Sequence, residues 1–387
     1  MKSKRSNPPS SARSRSAPPH KRGGEQRPAK NPAPKPKQQL EIQEYICEAD
    51  VAEGLEKIAW REIRVRFGER VEQIGGSAKP GTLRFSYIGN LYQLLRLQTV
   101  QAVYLVRHYP IPRPKAFLGD QHLKALLAQI ATVRELAPKD AYHTLYISAA
   151  GSESSVMTRL RDELAAKTGL TASNEEGDLL IRLRHPPGDE ASWEALVRIS
   201  PRPLATRPWR VCNREGALNA TVAHAMAFLT QPKPEDIYLN LACGSGTLLI
   251  ERLAQEEAAS VMGYDLDETA LECARRNVEA AGLTDRVSLR VGDIRSLPLP
   301  DKSVDAICAD LPFGHLVGSH EDNLTLYPEV LGEAARVIKT GGRCVFISHE
   351  VRLMDSLLDG SKVWDTEQVI RVALGGLYPR IYVLVRR

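Results

Sequence analysis

Residues 237–251, Ile-Tyr-Leu-Asn-Leu-Ala-Cys-Gly-Ser-Gly-Thr-Leu-Leu-Ile-Glu, constrain the fold of this chain more than any other stretch. Five mostly apolar residues end at Leu241 and read as a parallel strand covered on both faces, and Thr247 onward reads as a helix. Gly244 and Gly246 make the turn between them. Without Cβ atoms they let the backbone reverse sharply and admit a ligand close to the unpaired N–H groups of a helix start. Such a turn also occurs as a mere tight connection, so a nucleotide-like ligand here depends on residues further along the chain.

Those residues come in a fixed order. Residues 260–265 form a second short apolar run closing on Asp265, placed to accept hydrogen bonds from two ribose hydroxyls. A dinucleotide dehydrogenase shows the same acid, but it wants a third glycine where this chain has Leu249. Residues 287–293 supply a third strand ending in Asp293, suited to an adenine amino group. Either acid also fits a local cap or turn, and Asp267 reads as the N-cap of the helix after it. Residues 304–309 run into Asp310-Leu311-Pro312-Phe313-Gly314.

This order resembles a class I S-adenosylmethionine-dependent methyltransferase of the amino-methylating kind, whose fourth motif is Asp/Asn-Pro-Pro-Tyr/Phe. An exocyclic amine is a poor nucleophile because its lone pair is delocalised into the base. Asp310 and the Leu311 carbonyl would accept its protons and aim it, Pro312 would stiffen the turn, and Phe313 would offer an aromatic face to a base taken out of its stack. Leu311 departs from the commonest motif but keeps the backbone carbonyl. The resemblance implies cofactor contacts at Asn240, Ala242, Cys243, Gly244, Ser245, Gly246, Asp265, Leu266, Asp293 and Ile294. Asn240 stands where many relatives carry Asp, so it keeps an acceptor and loses the charge.

The preceding residues alternate strand-like and helix-like runs. Strands are expected at 43–49, 71–75, 81–87 and 100–109, and helices at 51–67 and 90–96; this βαββαβ order suggests a ferredoxin-like unit over residues 41–114. After Pro110, Pro112 and Pro114, residues 115–200 form another α/β unit with helices at 119–136 and 154–168. Its Arg159, Arg161, Arg182 and Arg184 suit phosphates, or equally an ordinary solvated surface, since acids are interleaved. Residues 201–230 are a linker and entry helix, with Arg207 and Arg210 as further RNA candidates. Residues 231–387 are the catalytic domain, a seven-stranded Rossmann-like sheet with its last strand antiparallel.

Here the resemblance narrows. The unit order, the linker Leu204-Ala205-Thr206-Arg207-Pro208-Trp209-Arg210, the residues Gly318-Ser319-His320, Asn323 and Leu326-Tyr327-Pro328, and Leu374-Gly375-Gly376-Leu377-Tyr378-Pro379 are similar to THUMP-containing RNA guanine-N2 methyltransferases. Those acting on guanosine 6 of the tRNA acceptor stem fit best. In that family the THUMP unit, here residues 115–200, grips the 3′ end of tRNA. Guanosine in ribosomal or small nuclear RNA, adenine N6 in DNA, and a decayed, non-catalytic RNA-binding protein stay open as alternatives.

Charge and cysteines bound the rest. Residues 1–40 hold eleven Lys/Arg against Glu25 alone, with eight prolines, and are expected to be disordered. They read as a polycationic RNA arm, a solubilising leader or, less well, a transit peptide. Residues 41–387 hold 41 basic and 46 acidic residues, so RNA binding there needs a local basic face. No apolar run approaches the ~20 residues of a bilayer span, and six scattered cysteines without a C-x-x-C pair favour reduced thiols over disulfides or zinc. The expectation is a cytoplasmic, metal-free tRNA methyltransferase, read as a monomer.

Overall fold

Strands with one face on a helix-covered core shape the first half of the chain. A computed structural model of the protein describes residues 43–75, 79–312 and 319–387; the readings for residues 1–40 and for Phe313 lie outside them. β1 (Glu44–Val51), α1 (Glu56–Phe67), β2 (Val71–Gln73), β3 (Thr82–Ile88), a 3₁₀ segment at Leu91–Arg96 and β4 (Val100–Tyr109) come first. α2 (Asp120–Arg134), β5 (Thr144–Ala149), α3 (Ser155–Thr168), β6 (Thr171–Ala172), β7 (Leu179–Arg184) and β8 (Trp193–Arg198) come next. All eight strands join one sheet in the order β2-β3-β1-β4-β8-β7-β5-β6. The junction is the antiparallel pair of β4 and β8, from Tyr104 opposite Arg198 to Tyr109 opposite Trp193.

One face of this sheet is apolar. Cys47, Phe85, Val103, Ile181 and Ala195 point to it and are covered by Ile58 and Ile63 of α1, Leu126 and Ile130 of α2, and Leu160 and Leu164 of α3. Because side chains alternate along a strand, the residues beside them face the other way, where a small apolar cluster of Ala102, Tyr104, Val106 and Leu196 lies among charged pairs. Arg84 bonds Glu194, Arg184 bonds Glu48, and Arg182 meets Asp50 at 2.8 Å while lying over the Tyr104 ring at 4.2 Å.

The second sheet is built from residues after the linker. α4 (Ala220–Leu229), β9 (Ile237–Leu241), α5 (Thr247–Gln255), β10 (Ser260–Asp265), α6 (Glu268–Ala280), β11 (Val287–Val291) and β12 (Val304–Asp310) lead to α7 (His320–Val337). β13 (Ile338–Ser348), α8 (Val351–Leu358), β14 (Trp364–Arg371) and β15 (Arg380–Arg386) complete it. The order is β11-β10-β9-β12-β13-β15-β14. The first five strands are parallel and β15 is antiparallel to both neighbours, the reversed strand expected from the sequence. Both faces are buried: Tyr238, Cys308 and Val345 join the core that includes Met226 and Leu249, while Leu239, Ile307 and Phe346 join Tyr327 and Leu331. Two-sided burial is why these strands read as nearly unbroken apolar runs.

Several boundaries differ from the sequence reading. β1 continues to Val51 and α1 starts only at Glu56, because the chain turns between them to meet the second sheet. At that turn Gly54 has φ +100°, a Cβ on it would sit 1.9 Å from the Arg371 carbonyl oxygen, and the Ala373 N–H donates to the Glu53 carbonyl at 3.0 Å. α7 starts at His320, where Ser319 and Asp322 form a capping box. α8 has no counterpart in the sequence reading.

The cysteine reading also needs correction. Cys47, Cys243, Cys308 and Cys344 are free and buried, but Cys212 and Cys273 form a disulfide across 61 residues. The linker folds back onto α6, a long-range contact that cysteine spacing does not reveal. Among the described residues no helix is long and apolar enough to cross a membrane.

Candidate active site

The turn after β9 is wound tightly enough to place four consecutive residues, 242–245, at one cavity. Ala242, Gly244 and Gly246 have φ of +48°, +53° and +80°. The Cys243 N–H donates to the Tyr264 carbonyl at 2.9 Å, and the Gly246 N–H to the Cys243 carbonyl at 2.9 Å. Left-handed backbone at a non-glycine residue such as Ala242 is unfavourable and collects at ligand sites. Asp265, at the end of β10, holds the turn from the side: Oδ2 accepts the Gly244 N–H at 2.8 Å and Oδ1 accepts the Asp267 N–H at 2.9 Å. Asp267 caps α6 by accepting the Thr269 N–H at 2.8 Å, as its sequence position suggested.

The cavity above this turn measures about 240 Å³ and is lined by Ala242, Cys243, Gly244, Ser245, Asp265, Asp267, Asp310, Leu311 and Pro312, with Arg214, Glu215, Gly216, Leu218 and Thr247. Four acidic residues, Glu215, Asp265, Asp267 and Asp310, and one guanidinium, that of Arg214, are among its lining residues.

Asp310 ends β12 with its side chain at this cavity. Oδ1 is buried and accepts no hydrogen bond among the described residues. Burial raises the carboxyl from its ordinary 3.8 to about 7. An acceptor without a donor, next to a cavity, is half of an unfinished hydrogen bond. The segment behind it is fixed: the Leu311 N–H donates to Ile347 at 3.1 Å, and the Pro312 carbonyl accepts the Tyr327 hydroxyl at 2.8 Å and the Asn323 amide at 3.1 Å. Asn323 and Tyr327 therefore hold the motif from α7. His320 is turned away from any such role and bonds Glu350 at 3.0 Å.

The roof comes from the linker, and sequence reasoning missed it. The Asn277 side chain of α6 brackets Cys212, accepting its N–H and donating to its carbonyl, both at 2.9 Å, and also donates to the Ser245 carbonyl at 3.0 Å. Arg214 reaches Asp267 at 2.6 Å and Thr269 at 2.8 Å. With the disulfide, these contacts lay residues 212–218 across the cavity. No spacing pattern announces them.

The remaining candidates fall elsewhere. Asn240 is buried within the sheet, where its amide donates to the Cys308 carbonyl at 3.0 Å and its Oδ1 has no partner among the described residues. Gly246 is the N-cap of α5 behind the turn, Leu266 is exposed, and Ile294 belongs to the core. Asp293 is bound by Arg295 at 2.6 Å, and that guanidinium holds its carboxyl below the ordinary range. None of these lines the cavity among the described residues.

Two of the basic candidates are corrected. Arg207 is 7% exposed, bonds Glu251 at 2.8 Å and donates to the Gln98 carbonyl at 2.7 Å; Arg210 donates to Leu218 and Thr247. Arg207 serves the interior, and the half-buried Arg210 is tied to the linker and α5. Arg182 and Arg184 are held by the acids of β1 and β8, Arg161 is hydrogen-bonded to Asn174, and Arg159 is exposed.

The second sheet and its site define a class I methyltransferase-like α/β fold. Residues 207–380 match the family model UPF0020, RMKL-like, methyltransferase domain. The tRNA (guanine(6)-N(2))-methyltransferase THUMP3 of Mus musculus is 32% identical over 184 residues, 44% of this chain and 36% of that protein, so the chain spans about a third of the mammalian relative's length. The tRNA (guanine(6)-N2)-methyltransferase of Methanocaldococcus jannaschii is 22% identical across 86% of this chain and 97% of its own. The crystal structure of TrmN from Thermus thermophilus superposes with a TM-score of 0.69 at 25% identity, covering 89% of this chain and all of that one.

Proposed function

We propose that this protein transfers a methyl group from S-adenosylmethionine to the exocyclic N2 amine of a guanosine in tRNA, at position 6 of the acceptor stem. The observation that carries the chemistry is Asp310, an aspartate at the cavity whose buried Oδ1 has no donor among the described residues. The choice of RNA rests on the tRNA-methylating relatives, two of which match through both halves of the chain.

The fit of the cofactor follows from charge and shape. S-adenosylmethionine, when bound, supplies a methyl group activated on a positively charged sulfur. Asp265, Ala242, Cys243, Gly244 and Ser245 would hold it, in a cavity whose carboxylates outnumber its cations. The protein's own contribution is placement. Asp310 and the Leu311 carbonyl accept the two amine protons and turn the nitrogen lone pair toward the methyl donor, so that an in-line displacement needs little further ordering. As the nitrogen becomes methylated its proton acidifies and passes to Asp310, whose carboxyl near 7 suits a base working at neutral pH. Pro312, fixed through its carbonyl, stiffens this turn, and Phe313 is assigned the stacking face for the flipped base.

In this reading residues 1–40 are a basic tail, 41–114 a ferredoxin-like unit, 115–200 a THUMP-like RNA-binding unit, 201–230 a linker and entry helix, and 231–387 the methyltransferase domain. The protein acts as a monomer in the cytoplasm, without a metal.

The test is transfer of labelled methyl by the full chain to total tRNA and, separately, to small nuclear RNA, with digestion of each pool to nucleosides. N2-methylguanosine in the acceptor stem of tRNA is expected. Cofactor binding without transfer to either pool, or label on another nucleoside, would overturn the reading.

A further inference from the structure

The turn between β14 and β15 lies outside the cavity and takes no part in the chemistry above. Sheet register fixes its position. Asp310 lies beside Ile347 of β13, Ile347 beside Ile381 of β15, and Ile381 beside Ile370 of β14. Neighbouring strands are about 4.8 Å apart, so the root of this hairpin stands roughly 10 Å from the Asp310 strand. It leaves the sheet at the same edge as the cavity, because β12 and β14 both end there.

The hairpin is stiff. Leu374 and Leu377 exchange two backbone hydrogen bonds, each 2.9 Å, around Gly375 and Gly376 with φ of +57° and +86°. That is a two-residue turn of type I′, whose twist matches the strands it joins. The Val372 N–H donates to the Pro379 carbonyl at 3.0 Å, and the Ala373 N–H to the Glu53 carbonyl of the first sheet at 3.0 Å.

What this stiff element displays is apolar and cationic together. Leu377 is 53% and Tyr378 51% exposed, and the Arg371 guanidinium lies 3.9 Å from the Tyr378 ring centre. Arg371 is steadied by the Glu53 carboxylate at 3.7 Å. One exposed apolar residue needs no explanation. Two adjacent ones, with a guanidinium stacked beside them on a braced turn, present the flat surface on which unstacked bases rest, and the arginine adds attraction for the phosphates next to them.

We propose that Leu377, Tyr378 and Arg371 form a stacking platform for a nucleobase next to the nucleotide that enters the Asp310 cavity. This rests on the RNA-methylation reading. The platform holds the neighbouring nucleotide in place while the target base leaves the stack, and so acts on RNA binding and not on the methyl donor.

The test compares the full chain with Tyr378→Ala, Leu377→Ala and Tyr378→Phe. The readouts are tRNA affinity by fluorescence anisotropy, steady-state methyl transfer, and S-adenosylmethionine affinity by calorimetry. Loss of one stacked base is worth about 1–3 kcal/mol, so Tyr378→Ala should weaken the tRNA Kd and raise its KM about tenfold. Leu377→Ala should do so less, Tyr378→Phe should stay within about twofold of the parent, and cofactor affinity should be unchanged in all three. If the parent methylates tRNA and Tyr378→Ala matches it in Kd and KM, the platform is overturned while the proposed function stands. A Tyr378→Phe variant as impaired as Tyr378→Ala, or a change confined to self-association, overturns it too. A parent that binds and methylates no RNA removes both readings.

Discussion

Arg207 and Glu251 face each other at 2.8 Å with almost no solvent on either, and the same carboxylate takes a second bond from His224 at 2.7 Å. Arg207 belongs to the linker, Glu251 to α5, and the arginine also reaches the Gln98 carbonyl beside the first sheet. This pair joins three parts of the chain. Removing one partner of a buried ion pair leaves a charge without compensation, at about 3–5 kcal/mol. Arg207→Ala and Glu251→Ala should each lose that much stability in urea unfolding, whereas Arg275→Ala, whose pairs with Glu268 and Glu272 are exposed, should leave the unfolding midpoint nearly unchanged. Equal losses in all three would show that the pair is not specially buried in solution.

Asp310 gives a pH prediction in two parts. Its carboxyl titrates near 7 in the folded chain against 3.8 ordinarily, so between these values the native state keeps a proton that the unfolded state has lost. The stability this gives is complete below about pH 3.8 and is lost progressively up to about pH 7. Asp310→Asn removes the dependence, so its stability relative to the parent should grow across that window and level off above it. Methyl transfer needs the ionised form and should rise through pH 7, with Asp310→Asn slower by about 10²–10⁴ and flat across the same range. Thermal melts and rate profiles of the two proteins check both parts.

Gly54 is required where the two sheets touch. A methyl group there would meet the Arg371 carbonyl at 1.9 Å, and φ of +100° is unfavourable for any other residue. Gly54→Ala should therefore destabilise the protein by more than about 1 kcal/mol. A parallel Gly151→Ala control shares the positive φ, at +69°, but meets no atom within 4 Å, so the difference between the two melts isolates the clash.

Reduction gives a fourth test. Closing a loop of 61 residues restricts the unfolded chain by an entropy worth roughly 4 kcal/mol on the chain-entropy account. The denaturation midpoint of the parent should fall on adding dithiothreitol, while a Cys212→Ser, Cys273→Ser double variant should start low and ignore the reductant. Because the bridge anchors residues 212–218 over the cavity, cofactor affinity should fall with it. An unmoved midpoint would mean that the two thiols are unbonded in solution.

The second sheet was legible because its signals are local. Two-sided burial writes unbroken apolar runs such as 237–241, and the glycine turn and the acids at 265 and 310 sit at strand ends where the sequence already marks a stop. Asp293 and Asn240 show the limit. Each sits where motif order places a cofactor contact, but Arg295 claims one and the strand interior the other. Arg207 reads as a solvent cation because composition carries no burial, and its acceptor is 44 residues away. The linker roof and the disulfide depend on the chain returning to α6, which no period in the sequence encodes. In the first sheet the four strands of residues 41–114 were legible to within about two residues and the short β6 was not, while the continuity of the sheet was invisible, since it depends on the pairing of β4 with β8.

That continuity bears on how the protein can be taken apart. A fragment cut after residue 114 would leave β4 from Tyr104 to Tyr109 without the partner it has in β8, and an open edge of that length recruits strands from other molecules. Exchanging residues 115–200 between homologues would graft a half-ladder onto a foreign edge, and would succeed only where the donor's strand in the place of β8 keeps step with the recipient's β4. The proline-rich break at 110–114, the most visible seam in the sequence, is for the folded protein a place where nothing separates.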